Sequence, residues 1–281
     1  MKKISIPMLS IATGATAAVS LILRIICLFF FYDKIGYYQT GAILPIIANS
    51  LLALSIIFFL IASIFSINKK QSIEPTSKAS QFAALLPMGA AIFRLIRMLT
   101  TPFNDITVNK YLMMASALVT VIFFFLIAYA KKNLKAVTFY FGIGALLYVT
   151  LCWMFAYFDF AIPINSIDKT FFYVACAGAI IFIFNEMCAC YSFVRPRFYY
   201  FSLFTSIIVL SVGSISAIIG YVCNIFKAYI TLEADIFFIA LLIYAVTRLI
   251  DAQKSKIIVE PINENGNNNE ETQESVANDS E

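Results

Sequence analysis

The chain has 281 residues, of which 61% are hydrophobic and 13% are charged, and its formal net charge is +4. A soluble domain is about 45–50% apolar and about 25% charged, and its core stops growing with chain length before it can bury such an apolar excess. This composition excludes an ordinary soluble protein and predicts an all-α, polytopic membrane protein.

Charged residues divide the chain into long uncharged runs, and these runs predict the membrane spans. A bilayer core of about 30 Å requires about 20 residues of helix. Five runs reach this length without a charged residue, and they cover 4–23, 35–68, 111–130, 136–158 and 198–226. Three further apolar segments contain charge: Arg94 and Arg97 lie in the first, Glu186 in the second, and Asp235 and Arg248 in the last.

We therefore predict about eight transmembrane helices. Their approximate bounds are 8–31, 40–66, 80–101, 111–130, 136–158, 170–193, 198–222 and 233–250. The last segment is the weakest, but we include it because Arg248, one turn from its end, can extend to the membrane interface. The first apolar run continues past the length of a signal peptide, so we expect an uncleaved first helix.

The distribution of basic residues predicts the orientation, because lysine and arginine are enriched in short cytoplasmic loops. With eight spans, one side of the membrane receives thirteen of these residues, the other side receives four, and three lie within spans. We expect both termini on the cytoplasmic side of a cell (plasma) membrane. We also expect four hairpins, in each of which a short outer loop joins the two helices. Tyr199 and Tyr244 fall near predicted inner ends, a position typical of interfacial side chains. Abundant Ile, Phe, Lys and Asn favour a bacterial source.

The end of the chain differs sharply from the rest. Residues 251–281 carry eight acidic residues against Lys254 and Lys256, and from Glu260 onward they include almost no large apolar side chain. Such a segment cannot bury enough apolar surface to fold. We predict a transmembrane helical bundle over 1–250 and a disordered, acidic, cytoplasmic tail over 251–281.

Several kinds of catalytic site are excluded by residue type. The chain has no histidine, which removes Ser-His-Asp hydrolysis, the H-E-x-x-H zinc site and His-ligated haem. Its six cysteines lie in apolar runs and form no C-x-x-C pair, so we interpret them as small buried hydrophobes. No glycine-rich phosphate-binding motif is present. We expect no enzymatic activity, cofactor, metal or nucleic-acid partner.

Three arginines at similar depth mark a candidate ligand site in the outer half of the bilayer. Arg24 lies in the first span, and Arg94 and Arg97 share one face of the third. Asn49 lies at comparable depth, and Asp159 lies at the predicted outer mouth. One interpretation is a cationic pocket for an anionic small molecule or acidic lipid headgroup. The other is that the arginines extend to the interface and form structural Arg–Asp pairs at the rim.

Glu186 is a second candidate, near the inner end of the sixth span. A buried carboxyl group can take up and release a proton, which suggests proton coupling. The alternative is a structural hydrogen bond to a neighbouring helix, or a salt bridge with an arginine at the inner rim. The residues alone leave both alternatives open.

Small residues in the sixth and seventh spans predict close helix packing, notably at Ala175, Gly178, Gly213 and Ala217. For the function, two classes remain. The first is a non-catalytic sensing, accessory or lipid- or anion-binding component of the membrane. The second is a small secondary transporter for an anionic or proton-coupled solute. We favour the first, because transporters often have helices broken at matching positions in both halves, and this sequence does not show that pattern.

Overall fold

The computed structural model describes residues 5–33, 37–67, 77–100, 108–129, 135–159, 163, 166–191, 195–225 and 232–253. Within these residues the chain forms eight helices. They are α1 (Ile6–Phe31), α2 (Ile43–Ser66), α3 (Lys78–Leu99), α4 (Val108–Tyr129), α5 (Lys135–Phe158), α6 (Ile167–Cys190), α7 (Pro196–Val222) and α8 (Leu232–Ala252). The predicted all-α class is confirmed for the described residues, and each predicted span coincides with a helix whose ends differ by at most three residues.

Seven of these helices, α1 to α7, are long and apolar enough to cross a membrane. The chain is therefore compatible with a multi-pass membrane protein. The helix α8 is not among the seven, because its 21 residues include Glu233, Asp235, Arg248 and Asp251. The crossing by α8, the arrangement in hairpins and the side of each terminus stay predictions.

Charged and polar residues begin several helices, which explains why the predicted starts fall late. At α3 the Ser77 hydroxyl oxygen accepts a hydrogen bond from the backbone N–H of Ser80, 3.2 Å away. At α6 the Ser166 hydroxyl accepts from the Lys169 N–H at 3.4 Å, and Asp168 lies in the first turn. A serine cap and an early acid both stabilise the positive end of a helix. Charge at such a position therefore indicates a helix start rather than a loop.

The helices differ greatly in how far the protein encloses them. In the most apolar stretch of α7, 78% of the residues are buried, and in that of α6, 67%; the value for α1 and α2 is 28%. The helix α7 contacts α1, α2, α6 and α8, whereas α3 lies between α4 and α8. Large apolar side chains on the exposed faces of α1 and α2 are suited to lipid. The centre of the bundle is thus α7 with α6 against it.

The small residues of the sixth span do lie at a helix contact, and Gly178 packs against α7. A Cβ atom at Gly178 would lie 2.2 Å from Val209 Cγ2, so a larger residue would separate the two helices. The Ser206 hydroxyl donates a hydrogen bond to the Gly178 carbonyl oxygen at 2.8 Å. Small residues and interhelical hydrogen bonds of this kind replace the hydrophobic effect as the attraction between helices in lipid.

A five-residue π-helical segment, Ser211–Ile215, interrupts α7. Within it, a Cβ atom at Gly213 would lie 2.8 Å from Ala175 Cβ and 3.0 Å from the Phe171 carbonyl oxygen. The glycine therefore permits the widened turn to approach the backbone of α6. Single π turns inside α-helices are frequent at functional sites.

At the other end of the sequence, α8 continues through Ala252. Asp251, which the sequence analysis assigns to the tail, belongs to this helix and is buried. The predicted disordered tail, from residue 254 onward, lies outside the described residues. Of the cysteines, Cys27, Cys152, Cys176 and Cys188 are buried, Cys190 is half-buried and Cys223 is exposed.

Candidate functional site

Glu186 of α6 is buried, with 2% of its surface exposed, at the centre of a polar network. The Tyr199 hydroxyl of α7 donates to its Oε1 at 2.5 Å, and the Tyr244 hydroxyl of α8 donates to its Oε2 at 2.8 Å. Arg248 Nε of α8 lies 3.0 Å from Oε1 and 3.2 Å from Oε2. Both carboxylate oxygens are therefore bonded, and the donors come from two neighbouring helices.

The network continues from Arg248 to the start of α3. Arg248 Nη1 lies 3.6 Å from the Asp251 Oδ2 carboxylate oxygen. The same oxygen accepts a hydrogen bond from the Ser80 hydroxyl at 2.6 Å and another from the Ser77 backbone N–H at 3.1 Å. Four helices, α3, α6, α7 and α8, thus meet through one chain of ion pairs and hydrogen bonds. We call the set Glu186, Tyr199, Tyr244, Arg248, Asp251 and Ser80 the Glu186 network.

Both oxygens of the Glu186 carboxylate are bonded by donors from one guanidinium group and two phenols. Of the two alternatives that the sequence leaves open, the arrangement matches the salt bridge with an inner arginine. Proton coupling by Glu186 stays a prediction.

Arg248, Tyr199 and Tyr244 all point inward rather than to the membrane interface. Arg248 is 3% exposed and both tyrosines are at most 1% exposed. The Arg248 side chain is therefore enclosed against Glu186 and does not extend out of the bundle as expected. Tyr200 is also buried, and its hydroxyl donates to the Ala252 carbonyl oxygen at 2.9 Å, which joins α7 to the end of α8.

Arg24 forms a second buried cluster, at the opposite end of α6. It is 2% exposed, and its Nη2 lies 3.4 Å from Asp168 Oδ1 in the first turn of α6. Its guanidinium carbon lies 3.9 Å from the centre of the Phe171 ring, a cation–π contact. Its Nη1 donates to the Tyr38 hydroxyl, and the Tyr32 hydroxyl donates to Asp168 Oδ2. We call Arg24, Asp168, Tyr32, Tyr38 and Phe171 the Arg24 cluster.

The chain after α1 folds back so that both tyrosines reach this cluster. Tyr32 and Tyr38 pair as an antiparallel bridge, with the Gln39 N–H donating to the Phe31 carbonyl at 2.8 Å. Burial raises the pKa of Tyr32 and of Tyr38 above the ordinary value of a phenol, although the Arg24 charge opposes that shift at Tyr38. Both phenols therefore stay protonated at neutral pH.

The Arg24 side chain is less completely bonded than Glu186. Its Nε is buried and has no hydrogen-bond partner among the described residues. A buried N–H of this kind normally has a partner, which a small anion or a water molecule can supply. Of the arginines predicted for the outer site, Arg24 therefore has a buried donor that a ligand could bond.

Arg94 and Arg97 share a helix but differ in environment. Arg94 is buried, its Nη1 lies 3.3 Å from the Cys152 sulfur of α5, and its guanidinium carbon lies 5.5 Å from the Tyr148 ring centre. The Arg97 side chain is 65% exposed and its Nε contacts Glu233 of α8 at 3.2 Å. One residue faces the bundle and the other faces out.

The structure does not bring the five predicted ligand residues together. Arg24, Arg94 and Arg97 contact three different helices, α6, α5 and α8. Asn49 is exposed on α2. Asp159, which follows α5, is half-buried, and its backbone carbonyl accepts a hydrogen bond from the buried Lys169 ammonium. An anion site that uses these residues stays a prediction.

The sequence identifies the buried charged residues but not the side chains that pair with them. The sequence pattern places Asp168 in a loop and Asp251 in the tail, although each lies in a terminal turn of a helix. A signal for Asp168 is present, because Ser166 two residues before it forms a typical helix cap. For Tyr199 and Tyr244 the position near a helix end gives no indication of direction.

Among the described residues, no group of three or more acidic or cysteine side chains could hold a metal ion. Comparison with known proteins finds no matching family model, no matching curated protein and no matching solved structure.

Proposed function

We propose that the chain is a non-catalytic component of a cell membrane, in which buried charges hold the helices in a fixed arrangement. The Glu186 network carries this proposal. Its carboxylate is bonded by two tyrosines and by Arg248, and the network reaches α3 through Asp251 and Ser80. A transport acid must exchange its proton with water, whereas Glu186 is buried and both of its carboxylate oxygens are bonded by groups of the protein.

The proposal includes the orientation and the membrane. Thirteen basic residues against four favour both termini in the cytoplasm of a plasma membrane. Reporter fusions after Glu281 and in the segment 72–77 are expected to behave as cytoplasmic, and one near Asn104 as external. A C-terminal reporter on the external side would contradict the orientation, most directly by removing α8 from the spans.

A second candidate, a small secondary transporter, is favoured by α7. This helix is the most enclosed of the seven and is interrupted by the π segment Ser211–Ile215. The hydroxyls of Thr205 and Ser214 on the same helix are buried without a hydrogen-bond partner among the described residues. Interrupted helices with free polar groups near mid-membrane line the sites of many transporters.

Reconstitution in liposomes separates the two candidates. We expect no saturable flux above protein-free vesicles for a panel of inorganic anions, carboxylates and amino acids, with and without a pH gradient. Saturable flux that Ser214→Ala reduces and Ser10→Ala leaves unchanged would overturn the non-catalytic role. Ser10 is a matched control, because its hydroxyl bonds to its own helix, at the Ile6 carbonyl.

A further inference from the structure

A groove of about 520 Å³ lies between the end of α2 and the beginning of α7. Its walls are apolar: Leu60 and Ile64 come from α2, and Phe198 and Phe201 from α7. Ile64 is 41% exposed and Phe198 is 53% exposed, so the groove opens on the outside of the bundle. In a bilayer this opening faces lipid, since the neighbouring exposed side chains of α2 are also apolar.

Two arginines stand where α7 begins, at the mouth of this groove. Arg195 is exposed and precedes the first helical residue of α7. Arg197 donates from its Nε to the Ile67 carbonyl at the end of α2, 3.0 Å away, which holds its side chain between the two helices. The first turn of α7 contains no acidic residue. The positive charges of the two guanidinium groups therefore add to the positive end of the helix dipole, and no acidic residue in that turn neutralises them.

Ser63 supplies an independent indication of a ligand. It lines the groove, is 1% exposed, and its hydroxyl oxygen has no hydrogen-bond partner among the described residues. Buried hydroxyl groups are nearly always bonded. A ligand oxygen in the groove would supply the missing hydrogen-bond partner of the Ser63 hydroxyl.

We propose that the groove binds an anionic phospholipid of the leaflet that surrounds the beginning of α7. The phosphate contacts Arg195 and Arg197, an acyl chain lies against Ile64 and Phe198, and Ser63 donates a hydrogen bond to an oxygen of the lipid. The apolar walls favour a lipid over free phosphate, because phosphate gains nothing from them. Arginine suits this role since its planar fork matches phosphate oxygens.

The predicted orientation places this leaflet on the cytoplasmic side, where anionic lipids attract basic residues. The site shares no residue with the Glu186 network and would stand even if the chain proved to be a transporter. It differs also from the predicted outer anion site, since it contains none of those residues.

The test measures lipid binding to the purified, delipidated full chain by native mass spectrometry, with phosphatidylglycerol and phosphatidylcholine as probes. We expect preferential binding of phosphatidylglycerol, reduced about fivefold for each arginine removed in Arg195→Gln and Arg197→Gln, because a basic residue near a charged surface contributes about 1 kcal/mol. Lys78→Gln is the matched control, because it removes an exposed positive charge from the start of α3. The preference of Lys78→Gln for phosphatidylglycerol should equal that of the unaltered chain.

A second pair of variants tests the groove itself. Ile64→Trp should fill it and abolish the preference, whereas Ile57→Trp, also exposed on α2 but outside the lining, should not. Unchanged thermal unfolding shows that each variant is folded. Equal binding of the two lipids, an equal loss in Lys78→Gln, or competition by inorganic phosphate at the affinity of the lipid would overturn the proposal.

Discussion

Two buried ion pairs of the described residues, Glu186–Arg248 and Arg24–Asp168, are built differently. In the Glu186 network both carboxylate oxygens and the Arg248 Nε are bonded, at 2.5 to 3.2 Å. In the Arg24 cluster the ion pair is longer, at 3.4 Å, and the Arg24 Nε has no partner among the described residues. A completely bonded buried pair stabilises one arrangement, whereas an incompletely bonded one retains a donor for a ligand. This difference supports the structural role that we propose for Glu186, and ligand binding by Arg24 stays a prediction.

The largest expected effect is at Glu186. Glu186→Ala leaves the buried Arg248 without its closer carboxylate partner, since Asp251 lies 3.6 Å away, and breaking a buried pair by removing one partner costs about 3–5 kcal/mol. Chemical unfolding in detergent should therefore show a large loss of stability, greater than for Asp168→Ala in the Arg24 cluster. Equal losses would remove the distinction between the two pairs.

Glu186→Gln sharpens the same point. The amide keeps the shape but cannot ionise, so a structural role predicts lower stability. A variant that folds normally but loses a pH-dependent activity would instead restore proton coupling. Thermal unfolding and solute flux in liposomes should be measured together from pH 5 to pH 8.

The next effect concerns Arg24. Arg24→Gln should lower the free energy of unfolding by about 1–3 kcal/mol, because it leaves the Asp168 carboxylate with fewer partners. A double-mutant cycle with Asp168→Asn measures the coupling of the pair, expected at about 0.5–3 kcal/mol. If anion binding falls while the coupling is near zero, Arg24 serves a ligand rather than the fold.

A smaller difference is expected between two tyrosines that each bond a charged group. Tyr199→Phe removes a fully buried hydrogen bond to Glu186 and should cost about 1.5–3 kcal/mol. Tyr38→Phe removes one from Arg24 at a half-buried position that water can reach, and should cost about 0.5–1.5 kcal/mol. The reverse order would indicate that the Arg24 cluster is the more rigid of the two.

The smallest effect is expected at Arg97, whose side chain is 65% exposed in its pair with Glu233. Exposed ion pairs contribute about 0–1 kcal/mol, so Arg97→Gln and Arg97→Lys should unfold nearly like the unaltered chain. A loss comparable to that of Arg24→Gln would show that Arg97 belongs to a buried site after all.

The positions of the helices could be predicted because uncharged apolar runs of about 20 residues match the thickness of a bilayer and are typical of membrane helices. The predicted ends are less accurate, since Lys78, Asp168 and Lys169 are charged and yet lie in first turns. The positive end of the helix and two side chains, Tyr32 and Arg24, stabilise Asp168, whereas Lys169 donates to the Asp159 carbonyl and Lys78 is exposed. Hydropathy does not include these contacts.

The candidate sites are predictable only in part. Arg24, Arg94 and Glu186 stand out as charges inside apolar segments, and all three are buried. Their partners depend on which helices are neighbours, and Arg24 and Asp168 are 144 residues apart in the chain. Arg94 and Arg97 share a helix face by spacing, but the packing of α3 against α8 leaves Arg97 exposed. The similar predicted depth of these arginines suggests a single site when the neighbouring helices are unknown. In the structure they instead make separate contacts.

The widened turn in α7 also has a consequence for the register of that helix. An α-helix turns by about 100° per residue, and a π turn contains one residue more than an α turn. The segment after the π turn, Ser216–Val222, which packs on α1 and α8, is thus offset in rotation from Pro196–Leu210. Deleting one residue within Ser211–Ile215 would turn Ser216–Val222 by about 100°. The beginning of α7, where Tyr199 contacts Glu186, would keep its direction. The number of residues in this single turn therefore determines which neighbours the two ends of α7 face.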